Sequence, residues 1–260
     1  MVMVIKMIDI HTHVLPALDD GAKNEDESLL MLKAAIKDGI RTIIATSHYH
    51  PRFLNEKADI LLWVENLKKI AKENELVIDI LPGQEIKLFG ELIDVYQSGK
   101  LLTMADQSTH LLIEFSSQHI PHYTQRLFYE IGMLGITPII AHPERNLAFL
   151  KNPTKLYDLV KKGALTQLTA GSLLGFYGKE IRTFSDQLIE AEMAHFIGTD
   201  AHNITTRPFN LGQAYEQVTK QHGIRYTSYF SENAQKLIEG QPIYTNHPQP
   251  ISKKRFIKFF

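Results

Sequence analysis

Short β-branched runs alternate with longer amphipathic stretches from end to end of this 260-residue chain, and that alternation limits its fold more than any other feature. It is the signature of βα units and a parallel sheet. Seven runs are expected to be strands: Met7–Ile10, Thr42–Ala45, Val77–Leu81, Leu111–Ile113, Thr137–Ala141, Leu165–Leu168 and His195–Gly198. The spacing of apolar residues predicts helices over Ser28–Asp38, Asn55–Asn74, Glu91–Ser98, Tyr123–Leu134, Thr154–Lys162, Ile181–Ala194 and Leu211–His222. Gly39 supplies a left-handed stop to the first of these. No Gly-, Ser- or Pro-rich linker and no repeat of fixed period divides the pattern, so one α/β domain is expected over residues 1–244. The length is near the ~250 residues of a (βα) barrel, which seven strands would make irregular. A doubly wound open sheet is the alternative, but HTHVLPALDDG follows the first strand where a glycine-rich phosphate turn would be expected.

In parallel α/β folds the site is built at the carboxyl ends of the strands, and here those ends carry metal-ligand residue types. The first strand runs into His11-Thr12-His13; residues i and i+2 of a strand share a face, so both imidazoles can reach one ion. The second strand leads to His48, the third to Glu85, the fourth to Glu114, the fifth to His142, and the seventh to Asp200 and His202. Any one of these taken singly reads as a surface or ion-paired side chain. Together they would be costly to bury on one rim without cations to pair them. Asp20, in the turn after the first strand, is a further candidate, with a plain turn acid as its other reading.

Imidazole mixed with carboxylate suits Zn, Mn or Fe, and the donors exceed what one tetrahedral ion needs, so two or three metals are expected. Four carboxylates with three divalent ions leave a charge of about +2, which favours a phosphate dianion. Arg145, just past His142, and Arg207, past His202, sit where such a dianion would need bidentate donors, although Glu144 is an obvious ion-pair partner for Arg145.

Composition narrows the chemistry further. There is no cysteine, which removes thiolate nucleophiles, thiolate metal sites and disulfides. Lys+Arg 28 against Asp+Glu 29 gives a net charge of -1, so no global field draws in nucleic acid, and no nucleic-acid partner is expected. The N-terminal MVMVIKM has no signal-peptide pattern and no run approaches the ~18 apolar residues of a membrane span, so a cytoplasmic location is expected.

The ordered segments IDIHTH, DDG, RTIIATSHYH, PGQEI, LIEF, IIAHPERN and GTDAHN resemble the motifs of the polymerase and histidinol phosphatase (PHP) superfamily, from Met7 to about Arg207. Within it the chain is most similar to the bacterial manganese-dependent protein tyrosine phosphatases encoded with capsule and exopolysaccharide genes. The resemblance implies a distorted (βα)7 TIM-like barrel holding Mn2+, with three ions in all. It implies His11, His13, Glu85 and Asp200 around one ion, Glu85 bridging to a second held by Glu114 and His142, and Asp20, His48 and His202 around a third. Arg145 and Arg207 match the family's phosphate-binding arginines. The second motif departs from its relatives, reading Thr46-Ser47-His48-Tyr49-His50, with His48 in the ligand position and His50 spare. His110, His119, His122, His195, His222 and His247 match no metal motif.

The function implied is hydrolysis of phosphotyrosine on a polysaccharide-assembly tyrosine kinase or related proteins, with metal-bound hydroxide attacking phosphorus in line and no covalent intermediate. A PHP phosphatase of a small ester such as histidinol phosphate is one alternative, and a non-catalytic phosphotyrosine-binding regulator is another. Residues 245–260, TNHPQPISKKRFIKFF, read as a basic, aromatic and flexible tail, either simply solvated or in weak contact with anionic lipid or the kinase.

Overall fold

The computed structural model of the chain describes residues 7–251. In chain order the elements are β1 (Ile8–Thr12), α1 (Glu25–Lys37), β2 (Thr42–Ala45), β3 (His48–His50), β4 (Phe53–Leu54), α2 (Lys57–Glu73), β5 (Asp79–Pro82), β6 (Glu85–Lys87), α3 (Leu92–Gln97) and β7 (His110–Glu114). They continue with α4 (Thr124–Met133), β8 (Thr137–Ala141), α5 (Leu147–Lys151), α6 (Thr154–Lys161), β9 (Leu165–Thr169), α7 (Ala170–Leu174), α8 (Lys179–Glu190), β10 (Phe196–Gly198), α9 (Leu211–His222) and α10 (Ile224–Ile238). All seven expected strands and all seven expected helices are present, with ends shifted by a few residues.

The strands form two ladders, β1-β2-β5 and β10-β9-β8-β7-β6-β3-β4, parallel throughout except for the short β3–β4 hairpin. β2 runs on into β3 and β5 into β6, so the ladders share two staves. Pro82, which has no N–H to give, and Gly83 mark the break between β5 and β6. A Cβ on Gly83 would lie 2.5 Å from Ile44 Cγ2, so the close approach of the two staves requires glycine. At the other side Thr12 bridges Ala201 just beyond β10, with His13 N–H donating to the Ala201 carbonyl at 2.8 Å. The circuit therefore returns to β1 with seven staves.

Strand alternation sorts the apolar side chains into two clusters. Leu111 and Ile113 of β7 pack with the helices, in a cluster that includes Phe149 and Phe230. Leu112, between them, joins Ile8, Ile10, Ile44, Ile139, Leu165 and Phe196 from five other strands, together with Ala234 and Leu237 of α10. Truncating a fully buried ring such as Phe196 would cost about 3–5 kcal/mol.

Several elements lie outside the expected pattern: the β3–β4 hairpin, β6, the short helices α5 and α7, and α10, which starts directly after Gly223 (φ 92°) and fills one end of the strand circuit. Of the expected tail, residues 245–251 are held to the body: Gln249 N–H donates to the Ala191 carbonyl at 2.8 Å and Asn246 Nδ2 to Glu192 at 2.9 Å. Ile251 packs on the main apolar cluster. Lys253, Lys254, Arg255 and Lys258 lie outside the described residues. Among the described residues no helix is long and apolar enough to cross a membrane.

Candidate metal centre

The register of β1 determines which way its histidines face. Asp9 pairs with Ile43 and Thr12 with Ala45, so Ile10 and His11 together oppose the single residue Ile44. That bulge, an extra residue of the kind found beside active sites, turns His11 and then His13 towards the same side. Their Nε2 atoms lie 3.2 Å apart.

Glu85 Oε2 lies 3.2 Å from His11 Nε2 and 3.3 Å from His13 Nε2, and Asp200 Oδ1 lies 3.5 and 3.4 Å from the same two atoms. All four side chains are buried. A tetrahedral ion with bonds of 2.0–2.1 Å has ligand atoms about 3.4 Å apart, so the spacing of these four donors fits one divalent cation.

The far sides of both rings are also fixed. His11 Nδ1 donates to Gln167 Oε1 at 2.8 Å; the opposite end of that amide, Nε2, donates to the Leu168 carbonyl at 2.7 Å, which fixes its orientation. His13 Nδ1 donates to Asp19 Oδ2 at 2.8 Å. Both imidazoles thus turn Nε2 into the cluster, as neutral metal ligands do.

Charge accumulates here to an extent that burial alone would forbid. Burial opposes ionisation of Glu85, yet His11 and His48 hold its carboxyl well below the usual carboxylate range. Asp200 is lowered likewise against its burial, by Arg145 and His11 first. Burial works against protonation of His13, but Asp19 and the site carboxylates raise it well above the usual histidine value. Two protons cannot both sit between Nε2 atoms 3.2 Å apart, whereas one cation satisfies both lone pairs.

A second group surrounds Asp20, whose Oδ1 is 3.4 Å from His48 Nε2 and 3.3 Å from His202 Nε2. His202 donates Nδ1–H to the Asp200 carbonyl at 2.9 Å, and burial, then His13, depresses its pKa to about 4. His202 Nε2 and His48 Nδ1 are buried and each faces a carboxylate oxygen, Asp20 Oδ1 at 3.3 Å and Glu85 Oε2 at 3.1 Å, without hydrogen-bond geometry, an arrangement that donors sharing a cation would adopt. The turn carrying Asp20 depends on Gly21, where a Cβ would fall 2.1 Å from the His13 carbonyl oxygen.

The remaining expected ligands meet through Glu85. His142 Nε2 lies 2.9 Å from Glu85 Oε1. Glu114 groups with Glu85 and His48, where the expected arrangement joined it to Glu85 and His142. It is opposite Lys87 in the β6–β7 register and accepts from Lys87 Nζ at 3.0 Å. His142 (φ 35°) and Asp200 (φ 54°) both have left-handed backbones, a strain of about 1–3 kcal/mol each that is characteristic of functional sites. His50 joins none of the groups; its Nδ1 accepts from Arg52 N–H.

Both arginines converge on one oxygen of the cluster. Arg145 Nη2 is 2.8 Å and Arg207 Nη2 2.6 Å from Asp200 Oδ2. Glu144 does not pair with its neighbour Arg145: its Oε1 accepts from Thr169 N–H at 2.9 Å and Ser172 Oγ at 2.7 Å. His195 and His222 are otherwise engaged, His195 Nδ1 accepting from Thr166 N–H and His222 facing Asp186.

Three residues important to this geometry were not legible as such. Asp19 and Gln167 orient the first two histidines, and Asp9 accepts from His11 N–H and from Thr199 N–H and Oγ, fixing the turn that carries Asp200. An acid beside Asp20 in DDG was the visible trace of the first; Gln167, uncharged and mid-strand, left none.

The family model for capsular polysaccharide synthesis, CpsB/CapC, matches residues 7–239. The tyrosine-protein phosphatase YwqE of Bacillus subtilis (strain 168) is 42% identical over 255 residues, 98% of this chain and 100% of the relative. Among solved structures, one from work on YwqE of Bacillus subtilis and CpsB of Streptococcus pneumoniae, described as unique metal-dependent tyrosine phosphatases, superposes with a TM-score of 0.93 at 42% identity. That match covers 95% of this chain and 100% of the other. A histidinol phosphate phosphatase from Lactococcus lactis shares the fold, with a TM-score of 0.52 at 14% identity over 86% of this chain and 94% of its own.

Proposed function

The chain belongs to the capsular polysaccharide synthesis CpsB/CapC family, and from that premise we propose that it is a metal-dependent protein tyrosine phosphatase with no cysteine nucleophile. The observation that carries this reading is the convergence of His11, His13, Glu85 and Asp200, with Arg145 and Arg207 meeting the same carboxylate.

In this reading three divalent ions, Mn2+ in the first instance, would be held by His11, His13, Glu85 and Asp200, by Glu85, Glu114 and His142 with His48 beside Glu85 and Glu114, and by Asp20, His48 and His202. Bound divalent ions supply Lewis acidity towards phosphoryl oxygens and activation of water at neutral pH. The protein's own groups do the rest. Gln167 and Asp19 keep the imidazole Nε2 atoms facing the ions, and a phosphate arriving at the centre takes over the guanidinium forks that now rest on Asp200. Those forks stabilise the charge of the transferring phosphoryl group.

The substrate proposed is phosphotyrosine on a bacterial tyrosine kinase of polysaccharide assembly, in the cytoplasm, so that turnover regulates capsule or exopolysaccharide synthesis. The domain proposed is a distorted (βα)7 TIM-like barrel over residues 1–244; of residues 245–260, the basic side chains Lys253, Lys254, Arg255 and Lys258 are proposed to contact an anionic lipid surface or the kinase.

The deciding experiment is phosphate release from a phosphotyrosine peptide by metal-stripped protein with Mn2+ added back, beside an Asp200→Ala variant and a phosphoserine peptide. Manganese-dependent turnover selective for phosphotyrosine and lost in the variant is the expected result. Turnover of histidinol phosphate alone would assign the chain to a metabolic phosphatase, and tight peptide binding without turnover would make it a regulator.

A further inference from the structure

Beside Arg145 stands a pair of aromatic side chains that the metal centre does not use. Helix α7 stops at Gly175 (φ 85°), and a second left-handed glycine, Gly178 (φ 94°), follows three residues on. Between them Phe176 is 59% and Tyr177 37% exposed, on the connection that follows β9. The two adjacent rings present an apolar surface that a ligand ring could cover.

The pair is held in place. Phe176 N–H donates to the Gly171 carbonyl at 2.9 Å, and both rings lie back over Gly171: a Cβ there would be 3.2 Å from Tyr177 Cε2 and 3.3 Å from Phe176 Cδ2. The Arg145 guanidinium carbon lies 5.3 Å from the centre of the Tyr177 ring. Glu144 ties the turn bearing Arg145 to Thr169 and Ser172 at the start of α7. The spacing between cation and ring is thereby set by buried hydrogen bonds, not by the loop alone.

We propose that Tyr177, backed by Phe176, is the wall against which the phenyl ring of an aryl phosphate packs while its phosphate meets Arg145, making this loop the determinant of aryl over alkyl phosphate esters. The inference rests on the phosphatase reading and names its specificity element. An aryl phosphate presents its ring one ester oxygen from phosphorus, within reach of a side chain adjoining the phosphate-binding cation. A phosphoserine side chain offers one methylene there and forms no ring contact. Ring–ring contact of this kind changes affinity about two- to twelvefold.

The test uses the full chain loaded with Mn2+, as parent, Tyr177→Ala and Tyr177→Phe. Calorimetry measures binding of phenylphosphonate and methylphosphonate, and kinetics compares phosphotyrosine and phosphoserine peptides of one sequence. The expected result is that Tyr177→Ala weakens phenylphosphonate about two- to twelvefold, leaves methylphosphonate unchanged, and raises KM for the phosphotyrosine peptide more than it lowers kcat. Tyr177→Phe keeps the parent's preference. An unchanged ratio of the two phosphonates in Tyr177→Ala overturns the proposal, as does an equal loss of both, which would mean the ring acts only by steadying Arg145. If the parent binds both phosphonates but hydrolyses neither peptide, the phosphatase reading fails, while the phosphonate ratio still decides whether Tyr177 recognises a ring.

Discussion

His11 and Gln167 are joined across 2.8 Å by a hydrogen bond from imidazole Nδ1 to amide Oε1, although Gln167 belongs to β9, the one expected strand with no ligand-type residue at its end. The bond determines which ring nitrogen is left to face the metal centre. Replacing Gln167 by Ala frees the ring to rotate and to carry its proton on either nitrogen. Metal affinity should fall 10- to 100-fold with little change in fold, as titration calorimetry with Mn2+ would read. An unchanged affinity would mean that packing alone orients His11.

Arg145 and Arg207 should not tolerate lysine. Both reach Asp200 through Nη2, leaving the planar fork to receive a second oxygen. Lysine keeps the charge and loses the fork. Each substitution is expected to lower kcat/KM about 10²-fold, in the range of losing one transition-state donor. Steady-state kinetics on an aryl phosphate, with Mn2+ affinity measured in parallel, would check that the loss is catalytic.

Removal of metal should be visible in stability as well as in activity. Four buried donors 3.2 to 3.5 Å apart repel or compete for protons without a cation. Mn2+ at 100 times its dissociation constant stabilises by about 2.7 kcal/mol, which for a chain this size raises Tm by roughly 5–10 °C. A thermal melt with and without chelator reads this directly. Asp200→Ala should abolish most of the shift, and a full shift in that variant would exclude Asp200 as a ligand.

Away from the centre, two buried histidines make an acid-sensitive contribution. Burial lowers His195 to about 3 and His110 to about 4, both below the usual histidine value of 6.5. A depressed folded-state pKa means that the unfolded chain takes up the proton first. The stability they contribute is therefore present above about pH 6.5 and is lost as pH falls towards 4, at up to about 1.4 kcal/mol per pH unit for each histidine. His195 would also lose the bond its Nδ1 accepts from Thr166 N–H. Denaturant unfolding from pH 7 to 4.5 should show the decline, and His110→Gln should make it shallower.

Legibility followed the physics of each feature. The clustered rim residues were visible as candidates because each follows a recognisable strand and belongs to a residue type that is rarely buried unpaired, as with His13, Glu85 and Asp200. The orienting residues could not, since Gln167 and Asp9 read as ordinary members of their strands and act across 156 and 190 residues of sequence. Glu144 was the natural partner for Arg145 by sequence neighbourhood, yet the turn sends their side chains to opposite duties. The left-handed backbones of His142 and Asp200 leave no mark in composition. Helix α10 has apolar residues at Phe230, Ala234 and Leu237, a helical spacing, but it follows α9 without an intervening strand and so falls outside the βα rhythm that located the others.

The joint between Thr12 and Ala201 bears on how the molecule comes into being. It is a single bridge, fastened by the Asp200 N–H bond to His11 and the His13 N–H bond to Ala201, each 2.8 Å, and it brings together segments from near the beginning of the chain and beyond residue 198. Closing so long a span of chain is entropically among the most demanding steps in folding. Chain shortened before β10 still carries His11, His13, Asp20, His48 and Glu85, but it lacks the carboxylate that completes their set. Affinity for the ion shared by His11, His13, Glu85 and Asp200 is thus expected only of the finished circle, and its appearance during refolding should mark the moment when the last stave meets the first.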